Sequence, residues 1–327
     1  MKKIHRRFAV APMMKWTDKH CRFFHRLLTK NALLYTEMIY AGAIINGSHK
    51  NLLSYNQKEH PLALQIGGSN ISDLQHAASI GADYGYDEIN LNVGCPSDKV
   101  QSACFGAAMM KEPDHVAACL QAMKKTVKNK KLTVKCRIGI DDQEPQKELP
   151  NFLDKVIAAG VDAIIIHARK ALLDGLSPKM NRTVPELDHK LVLEMKKKFP
   201  RVEIVINGGI ENLEMVNDFL KDGMDGVMVG RAAYTRPSEI LFPADKKVFD
   251  EENEDQSIKD LLIEFCDYIE IELKKGSKLG NMTKHLLGVF NGKPGAKKFR
   301  QALSENSYKR GAGPEVLIRA MDLVKIS

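Results

Sequence analysis

The strongest constraint on the fold is an alternation of short apolar runs with longer segments that have the period of an amphipathic helix. This alternation is typical of βα units that build a parallel sheet. The runs that predict strands are Phe8–Met14, Leu33–Ile39, Leu62–Gly68, Glu88–Gly94, Leu132–Gly139, Ala163–Arg169, Glu203–Gly209 and Gly226–Arg231. Eight such units close a barrel, so we predict an α/β protein with a (β/α)8 TIM barrel.

A doubly wound open sheet is the alternative fold for the same alternation. Two features of the sequence argue against it. No GxGxxG follows the first predicted strand, whereas a dinucleotide-binding open sheet has its phosphate loop there. Polar residues also cluster at the carboxyl ends of the predicted strands all along the chain, and these ends supply the active-site residues of a (β/α)8 barrel.

The character of the chain changes beyond Pro243. Residues 245–259 are charged and nearly free of apolar side chains, which predicts a linker or the exposed start of a helix and not another strand. Leu261–Leu273 and Met282–Phe290 then have apolar residues at helical spacing. We therefore predict a barrel domain over residues 1–244 and a small helical domain over residues 245–327.

The predicted helical domain is strongly basic. Its cations are Lys274, Lys275, Lys278, Lys284, Lys293, Lys297, Lys298, Arg300, Lys309 and Arg310, with Phe299 and Tyr308 among them. The whole chain has a formal net charge of +8 and a pI near 9.0. Cations that face phosphates supply the non-specific part of nucleic-acid affinity, so RNA is a suitable partner for this surface. A solvated basic face without a partner is the alternative.

Membrane and metal functions have little support in the sequence. No run approaches the roughly 20 consecutive apolar residues that span a bilayer, and the amino-terminal segment lacks a signal-peptide core. We therefore expect a cytoplasmic protein. The six cysteines show no CxxC spacing, so neither a zinc site nor a disulfide framework is predicted. No obligate protein partner is evident.

Side chains at the carboxyl ends of the predicted strands are the candidates for a site. Ala11–Met13 form an apolar end that could lie against a flat ring. The amide of Gln65 both donates and accepts, as the edge of a pyrimidine-like ring requires, although a bond to the neighbouring strand would also satisfy it. Lys135 and His167 are costly to bury unless they meet a partner, so we expect them to face one anionic or polar ligand.

Residues after the last two predicted strands indicate a phosphate site. Gly208 and Gly209 follow the seventh strand, and Gly230 with Arg231 ends the eighth. Glycine lets backbone N–H groups approach a ligand closely, and barrels of this type commonly bind phosphate after these two strands. Together with Lys135 and His167, this pattern predicts a bound phosphorylated cofactor.

Cys95 is the candidate for the reacting group. It follows Gly94 in a tight turn after the fourth predicted strand. A thiol there can act as a nucleophile or as an acid, since a free thiol is mostly protonated at neutral pH. An inert buried cysteine is the alternative, and Cys104 is a weaker candidate. Of Asn90 and Asn92 we expect only one to face the site, and Asn92 is closer to the mouth.

Six segments together resemble one enzyme family. They are APMM from Ala11, NLNVGCPS from Asn90, KCRIG from Lys135, IIIHAR from Ile164, INGGI from Ile206 and VGR from Val229. In this order, from about Phe8 to Arg231, they are similar to the tRNA-dihydrouridine synthases. Residues 167–182 (HARKALLDGLSPKMNR) further resemble the dihydrouridine synthase A branch, whose members modify positions 20 and 20a in the D-loop of tRNA.

The resemblance implies a flavin site, a catalytic acid and a set of tRNA contacts. FMN would be held by Pro12, Met13, Met14, Gln65, Lys135, His167, Asn207, Gly208, Gly209, Gly230 and Arg231. Cys95 would be the catalytic acid. The tRNA would be bound by Asn92 at the substrate nucleotide and by Lys179, Arg182, Lys297 and Arg300.

The reaction implied by the resemblance is reduction of the C5=C6 bond of a uridine to 5,6-dihydrouridine, with NADPH regenerating the reduced flavin. Two other classes remain open. A small-molecule FMN enzyme of the dihydropyrimidine or dihydroorotate dehydrogenase type shares the barrel, the flavin and a loop cysteine, but does not need a basic helical domain. A non-catalytic RNA-binding protein needs the basic surface and could dispense with Cys95.

Overall fold

The computed structural model describes residues 5–97, 105–174, 176–177, 179–251 and 256–325. At its centre is a parallel eight-stranded sheet with the strand order β1-β8-β7-β6-β5-β4-β3-β2. The strands are β1 (Phe8–Val10), β2 (Leu34–Tyr40), β3 (Leu62–Gly67), β4 (Glu88–Val93), β5 (Lys131–Arg137), β6 (Ala163–His167), β7 (Glu203–Asn207) and β8 (Gly226–Val229). The amide of Leu33, just before β2, donates to the carbonyl of Phe8 in β1 at 3.0 Å. The two edges of the sheet therefore meet, and the predicted (β/α)8 TIM barrel is confirmed.

Helices follow the strands and cover the outside of the barrel. They are α1 (Lys19–Leu28), α2 (Ala41–Asn46), α3 (His49–Leu52), α4 (Ile71–Tyr84), α5 (Pro113–Lys124), α6 (Pro145–Ala158), α7 (His189–Lys198), α8 (Leu213–Lys221), α9 (Arg231–Thr235), α10 (Pro237–Ile240) and α11 (Ala244–Phe249), with 3-10 turns at Gln57–Glu59, Gly106–Lys111 and Met180–Arg182. The buried faces of these helices and the outer side chains of the sheet form the main hydrophobic core. Local signals set the helix ends: α4 begins after the capping side chain of Asn70 and ends at Gly85, which is in the left-handed region.

The inside of the barrel is filled by alternate residues of the strands, because side chains along a strand point to opposite faces. A second, smaller apolar cluster lies there and consists of Ala9, Ala11, Leu33, Tyr35, Ala63, Ile165, Val205 and Met228. The same alternation continues towards the carboxyl ends of the strands. It brings Gln65, Asn92, Lys135, His167 and Asn207 to one mouth of the barrel.

Most predicted strands continue too far at their carboxyl ends. β1 ends at Val10 instead of Met14, and β7 ends at Asn207 instead of Gly209. The apolar residues continue into the loops, but the extended backbone of the strands ends earlier. Pro12 has no N–H to donate to a ladder, and Gly208 has a φ of 107° and Gly209 a φ of 69°, outside the extended region.

The chain after the barrel is helical. Its elements are α12 (Ile258–Lys274), α13 (Leu279–Thr283), a 3-10 turn at Lys284–Leu286, α14 (Ala296–Asn306) and α15 (Glu315–Met321). The helix predicted over Leu261–Leu273 is confirmed. The one predicted over Met282–Phe290 was placed too late, because the α-helix covers Leu279–Thr283 and is followed only by the 3-10 turn that ends at Leu286. α12 packs on α1, where the rings of Phe23 and Tyr268 stack with centroids 3.9 Å apart.

The first part of the predicted linker is a packed helix. In α11, Val248 is fully buried and Asp245 is 5% exposed. The carboxylate of Asp245 accepts hydrogen bonds from the hydroxyl of Thr29 at 2.7 Å and from the backbone N–H of Lys30 at 2.6 Å. The prediction of a linker or an exposed helix start was therefore wrong for this stretch, because the charge of Asp245 is used to hold the loop after α1. Among the residues described above, none of the helices combines the length and the apolar character that a membrane span requires.

Candidate active site

Cys95 lies at the mouth of the barrel on the turn that follows β4. The side-chain oxygen of Asn92 accepts hydrogen bonds from the backbone N–H groups of Gly94 at 3.1 Å and Cys95 at 3.0 Å. The thiol sulfur lies 3.5 Å from the hydroxyl oxygen of Ser97. Cys95 is partly buried, and its carbonyl accepts a hydrogen bond from Ala107 at 2.9 Å. The thiol is thus held by backbone bonds on both sides and remains reachable from the mouth.

The side-chain amide of Gln65 on β3 forms hydrogen bonds with two residues of the neighbouring strand β4. It is 1% exposed, donates to Asn90 Oδ1 at 2.8 Å and accepts from Asn92 Nδ2 at 2.8 Å. Both asparagines therefore face the inside of the barrel, and the expectation that only one of them does was wrong. Residues two apart on a strand share a face, so Asn90 and Asn92 differ in depth and not in side.

Lys135 and Asn207 meet across the mouth. Lys135 Nζ donates to Asn207 Oδ1 at 2.9 Å, and Asn207 Nδ2 donates to the carbonyl of Met228 at 2.7 Å. Burial, and after it the charge of Arg137, lowers the pKa of Lys135 to about 8. The side chain is therefore oriented by the barrel and is close to its titration point at neutral pH.

His167 ends β6 and has an unused nitrogen. Its Nδ1 is buried and has no hydrogen-bond partner among the described residues. Burial, followed by the charges of Arg137 and Lys135, holds the pKa of His167 well below its usual range. A Cβ atom on Gly208 would lie 3.2 Å from the ring, a tight contact, and the φ of 107° also disfavours any other residue there. A buried unpaired ring nitrogen at a mouth indicates a ligand that would satisfy it.

Arg137 is a site residue that the sequence reasoning missed. It is 4% exposed and donates to the carbonyl of Gly94 at 3.0 Å and to the carbonyls of Lys170 and Asn181, each at 2.9 Å. Burial is the main cause that lowers its pKa, to about 10. Cys95 partly offsets this effect, and the charges of Arg182 and Arg169 add to it. The signal was present in KCRIG, because Arg137 is two residues after Lys135 and so shares its face.

Three further guanidinium groups lie at the rim of the mouth. Arg231 donates to the carbonyl of Arg182 at 3.5 Å, and Arg169 donates to the carbonyl of Pro185. Arg169 Nε is buried without a hydrogen-bond partner in the part of the chain described here. Burial, and after it the charge of Arg231, lowers the pKa values of Arg169 and Arg182. These groups therefore lie near enough to repel one another.

We call the positive side chains of this region the mouth cations: Lys135, Arg137, Arg169, Arg182 and Arg231. Within the described residues, each of them interacts with other members of the group, the acidic groups near them are the thiols of Cys95 and Cys136, and no carboxylate is paired with them. Uncompensated cations in a partly buried site are costly, and an anionic ligand would offset that cost. The sequence prediction of an anion site at these strand ends is consistent with this geometry.

Two of the glycines in the predicted phosphate site differ in whether the backbone and its neighbours require glycine. At Gly209 a Cβ atom would lie 2.4 Å from Leu187 Cδ1, and the residue also has a left-handed φ of 69°. Gly230 has a φ of −104°, and a Cβ there would make only ordinary contacts, 3.7 Å to Ala11 and 3.9 Å to Met13. The chain itself therefore requires glycine at Gly209 but not at Gly230. Met14, beside this surface, is 57% exposed.

The four predicted tRNA-contacting cations lie in two places. Lys179 and Arg182 are exposed on the loop after β6, beside the mouth. Lys297 is exposed and Arg300 is partly buried on α14 of the helical unit. In the described part of the chain, no hydrogen bond or ion pair joins the second pair to the mouth. Cys104, the weaker thiol candidate, lies outside the described residues.

The cysteines that the structure describes form neither a disulfide nor a metal cluster. Cys21, Cys95, Cys119, Cys136 and Cys266 are free thiols. Of these, Cys95 is the one that is not fully buried. No group of three or more His, Cys, Asp or Glu side chains within the described ranges is placed to hold a metal ion.

Solved structures share the architecture of this chain. An old yellow enzyme homologue from Zymomonas mobilis is similar with a TM-score of 0.54 at 10% identity, over 78% of this chain and 92% of that one. Morphinone reductase in complex with tetrahydroNAD is similar with a TM-score of 0.51 at 9% identity, over 78% and 90%. At such low identity these likenesses define the fold class alone, a (β/α)8 barrel, here with a thiol and a cation cluster at its mouth.

Comparison of sequences is more specific. The family model described as Dihydrouridine synthase (Dus) matches residues 9–325. A tRNA-dihydrouridine(20/20a) synthase from Vibrio cholerae is 50% identical over 96% of this chain and 95% of its own. Proteins of the same name from Shewanella oneidensis and Escherichia coli are 48% and 49% identical, over 99% and 97% of this chain and 96% and 95% of theirs. This protein belongs to the dihydrouridine synthase family, so the resemblance of the six segments is confirmed.

Proposed function

We propose that this protein reduces the C5=C6 bond of uridine at D-loop positions 20 and 20a of tRNA, with FMN as its cofactor and NADPH as reductant. Relatives about 50% identical over nearly the whole chain have the name tRNA-dihydrouridine(20/20a) synthase. The structural observation that carries the proposal is the place of Cys95. Its thiol lies at the barrel mouth within electrostatic reach of Lys135, Arg137 and Arg182.

The residues at the mouth fit a phosphorylated flavin. His167 has a buried unpartnered Nδ1, and the mouth cations have no carboxylate partners among the described residues. Gly208 and Gly209 leave space that side chains would fill. The proposed FMN ligands are Pro12, Met13, Met14, Gln65, Lys135, His167, Asn207, Gly208, Gly209, Gly230 and Arg231. We assign the phosphate to Gly208, Gly209, Gly230 and Arg231, since an exposed guanidinium beside a glycine-lined backbone suits a phosphate group.

Acid catalysis is the role that the geometry gives to Cys95. When bound in its reduced form, FMN supplies the hydride for C6 of the uracil ring. The S–H bond of Cys95 breaks as its proton forms the new C–H bond at C5, and the electron pair of S–H stays on the sulfur as a thiolate. The nearby positive charges of Lys135 and Arg137 stabilise that thiolate. They also stabilise negative charge on the uracil carbonyls while the ring is being reduced.

The tRNA has to be distorted before this chemistry is possible. A uridine in the D-loop must leave its stack to enter a barrel mouth, and extrusion of a base has an energetic cost that backbone contacts offset. We propose that Asn92 contacts the extruded nucleotide, while Lys179 and Arg182 at the rim and Lys297 and Arg300 on α14 bind phosphates. In this proposal the barrel with its helices through α11 is the catalytic domain, and the helices from α12 onward form the tRNA-binding domain. The boundary predicted at residue 244 lies inside α11 and moves to the end of that helix.

Nucleoside analysis tests the proposed reaction. Purified protein is incubated with NADPH and tRNA that lacks dihydrouridine, and the digested nucleosides are analysed by mass spectrometry. We expect dihydrouridine, and fragment mapping should place it in the D-loop at positions 20 and 20a. Free uracil and orotate, which both have a C5=C6 bond to reduce, serve as comparison substrates. Turnover of one of these, with no product in tRNA while FMN is bound, would overturn the proposal in favour of a small-molecule dehydrogenase.

A further inference from the structure

A continuous line of hydrogen bonds crosses the inside of the barrel from its floor to Cys95. It begins at Glu88, the first residue of β4, where Thr133 Oγ1 donates to Glu88 Oε1 at 2.5 Å. Asn90 Nδ2 in turn donates to Thr133 Oγ1 at 2.9 Å. We call the five side chains of this line the amide relay: Glu88, Thr133, Asn90, Gln65 and Asn92.

The upper half of the amide relay ends at the turn of the reactive thiol. Gln65 Nε2 donates to Asn90 Oδ1, and Asn92 Nδ2 donates to Gln65 Oε1, both at 2.8 Å. Asn92 Oδ1 accepts from the N–H groups of Gly94 and Cys95. Asn92 lies four positions after Glu88 on β4, a rise of roughly 13 Å. The floor of the barrel is thereby linked to its mouth.

The groups at both ends of the amide relay allow its hydrogen bonds to run, from donor to acceptor, in one direction only. At the floor, Arg6 donates to Glu88 Oε2 through Nε at 2.9 Å and Nη2 at 2.7 Å, and the hydroxyl of Tyr35 donates to Oε1 at 2.5 Å. A carboxylate surrounded by donors can only accept, so the single proton of Thr133 points to it. At the mouth, backbone N–H groups can only donate. The orientation of every amide between these ends is therefore fixed.

Burial makes a wrong orientation costly. Glu88, Asn90 and Thr133 are 0% exposed, Gln65 is 1% and Asn92 is 8% exposed. If one amide turned over, oxygen would face oxygen or nitrogen would face nitrogen, and water could not compensate inside the barrel. The hydrogen bonds found in the described part of the chain use one of the two protons on each amide nitrogen of Gln65 and Asn92. One N–H on each of these two residues, and likewise on Asn90, has no partner in the described part of the chain, and Asn92 is the most exposed of the three.

We propose that Thr133 and Glu88 are positioning residues that act through the amide relay on the ligand-binding amides and on the turn of Cys95. They make Gln65 and Asn92 present donors to the mouth, which suits a planar ring with carbonyl oxygens along its edge. Uracil and the isoalloxazine ring both have such an edge. The identity of that ligand rests on the proposed function, whereas the effect on the Cys95 turn does not.

Variants of Thr133 test the relay without touching the mouth. Thr133→Val keeps the shape but removes the hydroxyl, and Thr133→Ser restores a hydroxyl. Thr29→Val makes the same replacement at another buried hydroxyl, which donates to the carboxylate of Asp245 and is not part of the relay. On the purified holoenzyme, we would measure the rate of alkylation of Cys95 by iodoacetamide, by peptide mass spectrometry, and the visible spectrum of the bound flavin. Alkylation is measured without tRNA or NADPH.

For Thr133→Val we expect the Cys95 alkylation rate to change by about fivefold, the equilibrium factor for one net hydrogen bond, together with a shifted flavin spectrum. Thr133→Ser and Thr29→Val should match the wild type in both. Wild-type alkylation and spectrum in Thr133→Val, or equal changes in Thr133→Val and Thr29→Val, would overturn the proposal. If Thr133→Val does not fold, the smaller Thr133→Ala takes its place. Absence of tRNA reduction by the wild type would refute the proposed function and leave the alkylation comparison intact.

Discussion

Arg137 and Gly94 are joined by a hydrogen bond of 3.0 Å from the guanidinium Nε to the carbonyl oxygen. Gly94 directly precedes Cys95, and the same guanidinium donates to the carbonyls of Lys170 and Asn181. One buried side chain thus ties the turn of the thiol after β4 to the loop after β6. The two sides of the mouth are held together by a residue that is itself almost inaccessible.

Replacement of Arg137 by methionine should therefore destabilise the protein. Arg137→Met leaves three carbonyl acceptors without their donor, and we expect the free energy of unfolding to fall by about 2 kcal/mol. Urea denaturation would measure this change. Lys179→Met, which removes an exposed cation from the loop after β6, should stay within about 0.5 kcal/mol of the wild type. Equal stability of Arg137→Met and the wild type would show that these bonds do not hold the mouth.

Lys135 should make FMN binding depend on pH. Its pKa is lowered to about 8, so it is a cation below that pH and neutral above it. An anionic ligand loses this attraction as the pH rises, and we expect FMN affinity to fall by up to about tenfold from pH 7 to pH 9. Fluorescence titration of the apoprotein with FMN would measure it. Lys135→Met should bind FMN more weakly with a flat response over the same range, and an equally steep response would exclude Lys135 as the titrating group.

Arg231 should contribute to flavin retention. Its guanidinium is exposed at the rim beside Gly230 and is in electrostatic contact with Arg169 and Arg182. Arg231→Ala removes a charge-assisted partner for a phosphate and should weaken FMN binding by about tenfold or more, the factor for a hydrogen bond to a charged group. Equilibrium dialysis compares it with Arg236→Ala, in which a neighbouring arginine that donates to Glu211 and Glu239 is removed. Unchanged affinity in Arg231→Ala would count against the assigned phosphate site.

His25 should make the fold sensitive to acid. It is 1% exposed in α1, and burial lowers its pKa from 6.5 to about 3. The unfolded chain takes up the proton below about pH 6.5 and the folded chain only near pH 3, so stability is lost as the pH falls through that window. Between pH 7 and pH 5, the wild type should lose about 2 kcal/mol more than His25→Leu in urea denaturation. Parallel losses in the two proteins would contradict a buried neutral His25.

The barrel could be predicted from the sequence because its signal is repeated. Eight apolar runs at regular spacing indicate eight strands, even though several strand ends were placed too late. Those ends depend on single backbone angles, as at Gly208, and on the absent N–H of Pro12, which apolar composition does not report. The packing of Asp245 against the loop after α1 could not be predicted, because a charged residue that caps a distant loop looks like a solvated one in sequence.

Individual residues of the site could be predicted from the sequence, but most hydrogen bonds between them could not. Cys95, Lys135 and His167 were identified by their positions at strand ends, and the structure brings them to one mouth. Arg137 and the shared face of Asn90 and Asn92 were missed, although side chains two positions apart on a strand point to the same face and both could have been predicted from this rule. The hydrogen bonds that Gln65 donates to Asn90 and accepts from Asn92 depend on the register between strands, which one sequence does not specify.

The most direct test of the account compares the wild type with Cys95→Ala at equal FMN content, measuring dihydrouridine formed in tRNA with NADPH by nucleoside mass spectrometry. The wild type should form dihydrouridine, and the variant should retain its yellow flavin yet react at least about a hundredfold more slowly, the usual contribution of a general acid. Product formation by the variant at the wild-type rate would contradict the acid role of Cys95. No product from the FMN-loaded wild type would contradict the proposed reaction itself.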